Sequence, residues 1–321
     1  MKTKTQRTGV APATGSLRRS RRVAGAVVGA ACTMLPILPA TASVIPFATD
    51  RPQTWQFSSD FDEPYSSFGQ NVQWNHDSRA FDANGNQVAG PGTNTFVGLS
   101  TFIHYWKLPS LPHVGFNASI TLPEVRTEGS HFSASGIGDP LIGGLVWYNP
   151  APATTVGFQT YVQVPIGQQS VSTDTWSVWP SVFYDDWFGH VNVDLLVGGI
   201  LRGRTLRSGS DDLSNGDTFH LNLRVGYSIS SPDNPFAIPF VSLDHQRSGG
   251  TFDRTTGLAI PNSASRETAV GAGVLFQFKP NSLPFVHQKM YDQLSIQYSH
   301  SVSGRNTTLT NGLYVQVWHY W

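Results

Sequence analysis

Hydrophobic residues recur at every second position over much of this chain. In DTFHLNLRVGYSIS (residues 217–230), Phe219, Leu221, Leu223, Val225, Tyr227 and Ile229 alternate with His220, Asn222, Arg224, Gly226 and Ser228. In TTVGFQTYVQVP, Val156, Phe158, Val162 and Val164 alternate with Gly157, Gln159, Tyr161 and Gln163. HVNVDLLVGGILRG sets Val191, Val193, Leu195, Val197 and Leu201 against Asn192, Asp194, Gly198 and Arg202, and ETAVGAGVLFQFK repeats the pattern with Gly271, Gly273 and Gln277 on its polar face. A period of two is the strand period, and helical spacing does not fit it.

Twelve strands are predicted, at 66–76, 94–107, 113–124, 138–149, 154–166, 175–187, 190–203, 217–230, 235–247, 266–279, 290–302 and 311–321. Many run well beyond the ~5–6 residues typical of globular strands. A tilted strand needs roughly 9–11 to cross a bilayer. Short turn-like links (109–113, 149–153, 187–190, 231–235) alternate with longer polar ones (126–136, 167–174, 205–216, 248–265). That alternation is the outer-membrane pattern, with the long loops outside the cell. The expected fold is therefore an all-β, transmembrane, antiparallel up-and-down β-barrel of about twelve strands over residues 66–321.

The chain's start supports export. Residues 1–22 hold seven basic and no acidic residues, Val23–Ala40 is apolar and uncharged, and Ala40-Thr41-Ala42 is a small-x-small site. These are the parts of a cleaved secretory signal peptide, residues 1–42. Residues 43–65 are then an N-terminal periplasmic or plugging arm. The mature chain keeps 14 basic against 21 acidic residues, a formal charge of −7, and loses Cys32, its only cysteine. Disulfides and thiolate metal sites are excluded, and the acidic balance argues against a nucleic-acid partner.

Aromatic residues cluster at the predicted strand ends. Trp106, Trp147, Trp187, Trp318 and Trp321 are expected to form membrane-interface girdles. The last stretch, NGLYVQVWHYW, alternates up to Trp321. A terminal strand of this kind is expected to pair with the first and to engage the barrel-assembly machinery, with outer-membrane lipids around it.

GIGDPLIGGLVWY (136–148), YVQVPIG (161–167), WSVWPSVFY (176–184) and VSGRN (302–306), in that order and at strand-length spacing, resemble the meta-pathway phenol degradation family of outer-membrane proteins. The similarity spans roughly residues 95–321. The resemblance implies a transporter-like β-barrel found near aromatic-degradation functions, and it implies no catalytic site. Read alone, Gly136, Gly138 and Asp139 shape a strand entry, while Pro165 and Pro180 mark strand ends or bulges.

Candidate lumen residues follow from the polar faces: Gln159, Tyr161, Gln163, Asp194, Arg202, His220, Asn222 and Arg224. Glycines on the same faces (Gly157, Gly226, Gly271, Gly273) are expected to leave room beside an aromatic wall. The expected function is a channel for passive uptake of small hydrophobic or aromatic compounds into a Gram-negative cell, with no cofactor, no metal and no catalytic residue. A closed, structural barrel is the alternative. An outer-membrane lipid hydrolase is a third: His300 is followed by Ser301, which faces the other way, and by Ser303 three positions on, so an extended strand does not pair them. Asp185 and Asp186, in YDDWFGH, read as a solvated turn.

Overall fold

The computed structural model describes residues 57–205, 213–230, 236–281 and 290–321. The expected signal peptide, residues 43–56 of the arm and the predicted turn at 231–235 lie outside the described residues. Twelve long strands build one closed sheet: β1 Tyr65–Phe81, β2 Gln87–Lys107, β3 Val114–Glu128, β4 Leu141–Ala151, β5 Thr154–Gln163, β6 Thr175–Phe188, β7 Val191–Thr205, β8 Thr218–Tyr227, β9 Ala237–Ser248, β10 Ser265–Asn281, β11 Met290–Arg305 and β12 Asn311–Tyr320. Each pairs antiparallel with its sequence neighbours.

Closure comes from β12 on β1, from Ser67↔Tyr320 to Asn75↔Gly312. Trp321 extends the ladder by exchanging backbone hydrogen bonds with Ser66 at 2.9 and 3.0 Å. No edge is left between first and last strand, as a bilayer requires of a sheet.

The period of two becomes an inside and an outside. Phe68, Phe102, Ile142, Phe158, Val182 and Val241 point outward and are 43–59% exposed. An apolar band this continuous fits a hydrocarbon solvent rather than water. The alternate positions point inward and are mostly buried, polar ones included. The links at 108–113, 152–153 and 189–190 share one rim with both ends of the barrel. The hairpin at 82–86 and the segments 164–174 and 249–264 lie at the other. By loop length the first rim is periplasmic.

Two strands exceed their predicted bounds by five residues or more. β1 and β2 rise to a hairpin at Asp82–Asn86, because SRAFDANGNQVAG stands above the apolar band and shows no alternation to read. Asp82 Oδ1 accepts from the amides of Asn84 and Asn86 at 2.8 Å each, and Gly85 adopts φ 86°. The predicted strand 138–149 begins only at Leu141 as β4, and the predicted loop 126–136 contributes a short strand of its own, Ser133–Ile137; both pair with β3, with Gly138-Asp139-Pro140 at the break between them.

The periplasmic half of the interior is filled by rings laid over cross-strand glycines. Trp318 lies opposite Gly69, Trp147 opposite Gly115, Phe183 opposite Gly157, and Phe240 opposite Gly273. A Cβ added at these glycines would stand 2.4, 2.0, 2.4 and 2.6 Å from those rings. The glycine positions are therefore occupied, which corrects the expectation that Gly157 and Gly273 leave room for a solute. Gly226 and Gly271 are filled likewise, by Ile238 and by the hydroxyls of Ser242 and Ser299.

Gly115→Ala is expected to destabilise the barrel by about 1–3 kcal/mol, the usual cost of overpacking. Urea unfolding of the detergent-folded protein, followed by heat-modifiable migration, checks this. An unchanged midpoint would mean that Trp147 moves aside freely.

Candidate functional site: the barrel lumen

One cross-strand row shows how the lumen is divided. It runs Lys107–Gly115–Trp147–Gly157–Phe183–Leu196–Asn222–Asp244 across β2 to β9. Past Lys107 the row is apolar as far as Leu196, and the last part is polar. Around the apolar part, Tyr65, Ile103, Tyr105, Leu145, Trp147, Tyr161, Phe183, Trp318 and Tyr320 form one buried cluster. Tyr65 and Tyr105 stack at 4.5 Å.

The arm enters this cluster. Phe57 packs on Trp147 (5.4 Å, edge-on) and Phe183 (5.7 Å), and Phe61 on Tyr65 (5.1 Å, edge-on). Both rings are 1% exposed. Ser59 N donates to Asn149 Oδ1 at 3.0 Å, and Lys107 Nζ donates to Ser59 O at 3.3 Å while lying 5.3 Å from the Phe61 ring.

The polar wall carries charge. Asp194 faces Arg224 directly across β7 and β8; the guanidinium donates from Nε to Asp194 Oδ2, and its Nη2 forms an ion pair with the same oxygen. Both side chains are under 5% exposed. Arg224 also lies over the Phe240 ring at 5.0 Å. Asp185 sits opposite Asp194 on β6, fully buried, and accepts from Asn192 Nδ2 at 3.1 Å. The reading of Asp185 as a solvated turn residue is thereby corrected. It falls on the inward parity of β6, three residues before the strand ends, and strand period rather than local composition decides its face. One row further out, His220 hydrogen-bonds Asn222 Oδ1 (3.2 Å), and Asn222 Nδ2 donates to Asp244 (2.8 Å).

The other expected lumen residues divide. Gln159 and Tyr161 point inward and are 1% exposed. Gln163 and Arg202 serve the extracellular end. Arg202 Nη1 donates to Gly216 O at 2.6 Å and Thr218 Oγ1 at 2.7 Å, and its backbone amide to Asp217. Gln163 Nε2 donates to Thr173 Oγ1 (3.2 Å) and to Asp139 Oδ2 (3.3 Å).

Asp139 is a hub that sequence reasoning took for a turn former. Its carboxylate accepts from Gly167 N (3.0 Å), Ser172 Oγ (2.7 Å), Thr173 N (2.8 Å) and Thr173 Oγ1 (2.8 Å). Gly167 lies so close that a Cβ would meet Gly138 backbone at 2.6 Å. The motifs GDP and PIG are thus two halves of one clamp. It pins segment 164–174 to the break between Ser133–Ile137 and β4.

The girdle expectation also divides by parity. Trp321 (47% exposed) faces outward and packs on Phe102, and half-buried Trp106 stacks on Phe116. Trp147 and Trp318 are 1% exposed inside the barrel, and Trp187 packs against inward-facing Ile238, Phe240 and Leu275. Adjacent aromatics at a strand end point to opposite faces, so a cluster in sequence supplies both girdle and lumen. His300 faces outward and is exposed. Ser301 faces inward and donates to Glu267.

A closed twelve-stranded barrel with an apolar exterior and a polar-and-aromatic interior is an outer-membrane β-barrel protein. Residues 78–317 match the family described as "Putative MetA-pathway of phenol degradation", and the chain belongs to it. Its structure is similar to the crystal structure of an outer-membrane channel from Pseudomonas putida F1. The TM-score is 0.68 at 17% identity, over 81% of this chain and 96% of that one. The β domain of the Bordetella autotransporter BrkA matches with TM-score 0.48 and 12% identity over 80% and 99% of the two chains. The search of curated proteins gave no match.

Arg224→Met is expected to destabilise the protein by about 3–5 kcal/mol, because it strands a buried carboxylate. Arg224→Met with Asp194→Leu should recover most of that loss. A double-mutant cycle by urea unfolding measures it, and additive losses would mean that the pair is not coupled.

Asp139→Ala is expected to free segment 164–174. Hydrogen exchange at its amides should rise by roughly tenfold or more, as loss of several charge-assisted hydrogen bonds implies. Unchanged exchange would place the constraint elsewhere.

Proposed function

We propose that this protein is an outer-membrane channel for passive uptake of small hydrophobic or aromatic compounds. The observation that carries the reading is the single row that passes from Trp147 and Phe183 to Asn222 and Asp244. A ring bearing a hydroxyl has one face for each wall: aromatic contact on one side, hydrogen bonding on the other. Trp147 Nε1, Trp318 Nε1, Gln159 Oε1 and His220 Nε2 are buried without a hydrogen-bond partner among the described residues. Each is a place for a passing hydroxyl to bind, since buried polar groups otherwise bear a desolvation cost. Membership of a phenol-degradation family and likeness to an outer-membrane channel support the same class.

Passage rather than catalysis fits the lumen. The His300 and Ser301 side chains lie on opposite faces of β11, and although a bulge at Val302 brings Ser303 to the outward face one row beyond His300, no hydrogen bond joins those two among the described residues, as a histidine-activated serine needs. The arm acts as a periplasmic plug in this reading, with Phe57 and Phe61 as its stoppers. A barrel closed for structural purposes is the second reading, favoured by the same two rings.

Planar-bilayer recording of the mature chain, residues 43–321, separates the two. The channel reading expects steady current that phenol reduces, and a longer open time in the Phe57→Ala/Phe61→Ala variant. A folded, heat-modifiable barrel that conducts in neither form would overturn it.

A further inference from the structure

The outer surface carries a feature that uptake does not use. Arg247, Arg266 and Arg305 stand side by side on β9, β10 and β11, in direct cross-strand register. All three are exposed and on the lipid-facing parity of their strands. Cβ atoms of directly opposed residues lie ~4.5–5.5 Å apart, and like charges so placed repel. None of the three guanidinium groups has a hydrogen bond or ion pair among the described residues. Outward positions of β8–β11 hold one acid, Asp292, and it lies at the periplasmic end against His319 (3.0 Å).

The row's height identifies its counter-ion. Leu243, Val270 and His300 share a row, then His245, Thr268 and Ser303, then the arginines. At ~3.3 Å per residue, the arginines stand about 13 Å along the strands beyond Leu243 and Val270, less when tilt is counted. Both residues are exposed apolar members of the outward band, and Phe219, 47% exposed, lies beside Arg247 in the arginine row itself. An anion bound here has acyl chains beside it and sits at the extracellular boundary of the hydrocarbon.

We propose that Arg247, Arg266 and Arg305 bind the phosphate groups of a phosphorylated glycolipid of the outer leaflet. Guanidinium forks match phosphate oxygens bidentately. The ligand's acyl chains lie on Leu243, Val270 and Phe219, which selects an amphiphile over free phosphate.

The test uses the folded mature protein in micelles, with bisphosphorylated lipid A, the same lipid stripped of phosphate, and inorganic phosphate as probes, read by native mass spectrometry. Bisphosphorylated lipid is expected to bind about tenfold or more tightly than the stripped lipid, and R247Q/R266Q/R305Q to lose that preference. Arg126→Gln should keep it, since exposed Arg126 is already paired with Glu128. Equal binding of the two lipids by the wild-type protein overturns the proposal independently of any variant. So does displacement by millimolar inorganic phosphate, or full preference retained by the heat-modifiable triple variant.

Discussion

The barrel's interior depends on rings resting on glycines across the strand. Twelve strands enclose more space than short side chains fill, and a bilayer supplies no water pressure to collapse a sheet. Trp147 on Gly115, Phe183 on Gly157 and Trp318 on Gly69 solve this locally. The glycine removes the Cβ that would hold a ring upright, so the ring lies along the wall and fixes the pair's register. The aromatic wall, the seat for Phe57 and the asymmetry with the polar wall all follow from that arrangement.

The polar wall is stable for a different reason. Arg224 is held by Asp194 and roofed by Phe240, so a buried charge has a partner and a ring face at once. Neighbouring Asp185 makes the group richer in carboxylate than in guanidinium.

The fold was legible because strand period, strand length and loop asymmetry are local signals, and twelve strands were found within a few residues. The tall hairpin of β1 and β2 was missed because residues outside the bilayer need no alternation. The lumen was half legible. Period two placed Gln159, Tyr161, Asp194, His220, Asn222 and Arg224 inside. It equally placed Asp185, Trp147 and Trp318 inside, yet their local chemistry had suggested a turn and a girdle. Asp139 was not legible at all as a hub. Its partners Gly167, Ser172 and Thr173 lie 28–34 residues away, and only the break before β4 brings them together.

In the proposed channel, the arm sets the energetic terms of passage. Fully burying one phenylalanine is worth ~1.5–3 kcal/mol, so withdrawing Phe57 and Phe61 costs roughly 3–6 kcal/mol before the hydrogen bonds at Ser59 are counted. At about 1.4 kcal/mol per factor of ten, spontaneous withdrawal populates roughly one state in 10² to 10⁴. An aromatic solute reverses part of that deficit, because its ring can occupy the contacts on Trp147 and Phe183 that Phe57 vacates. A small ion offers no such replacement. In the proposed channel, the plug itself then discriminates: the molecules that open it are those that resemble the side chains closing it.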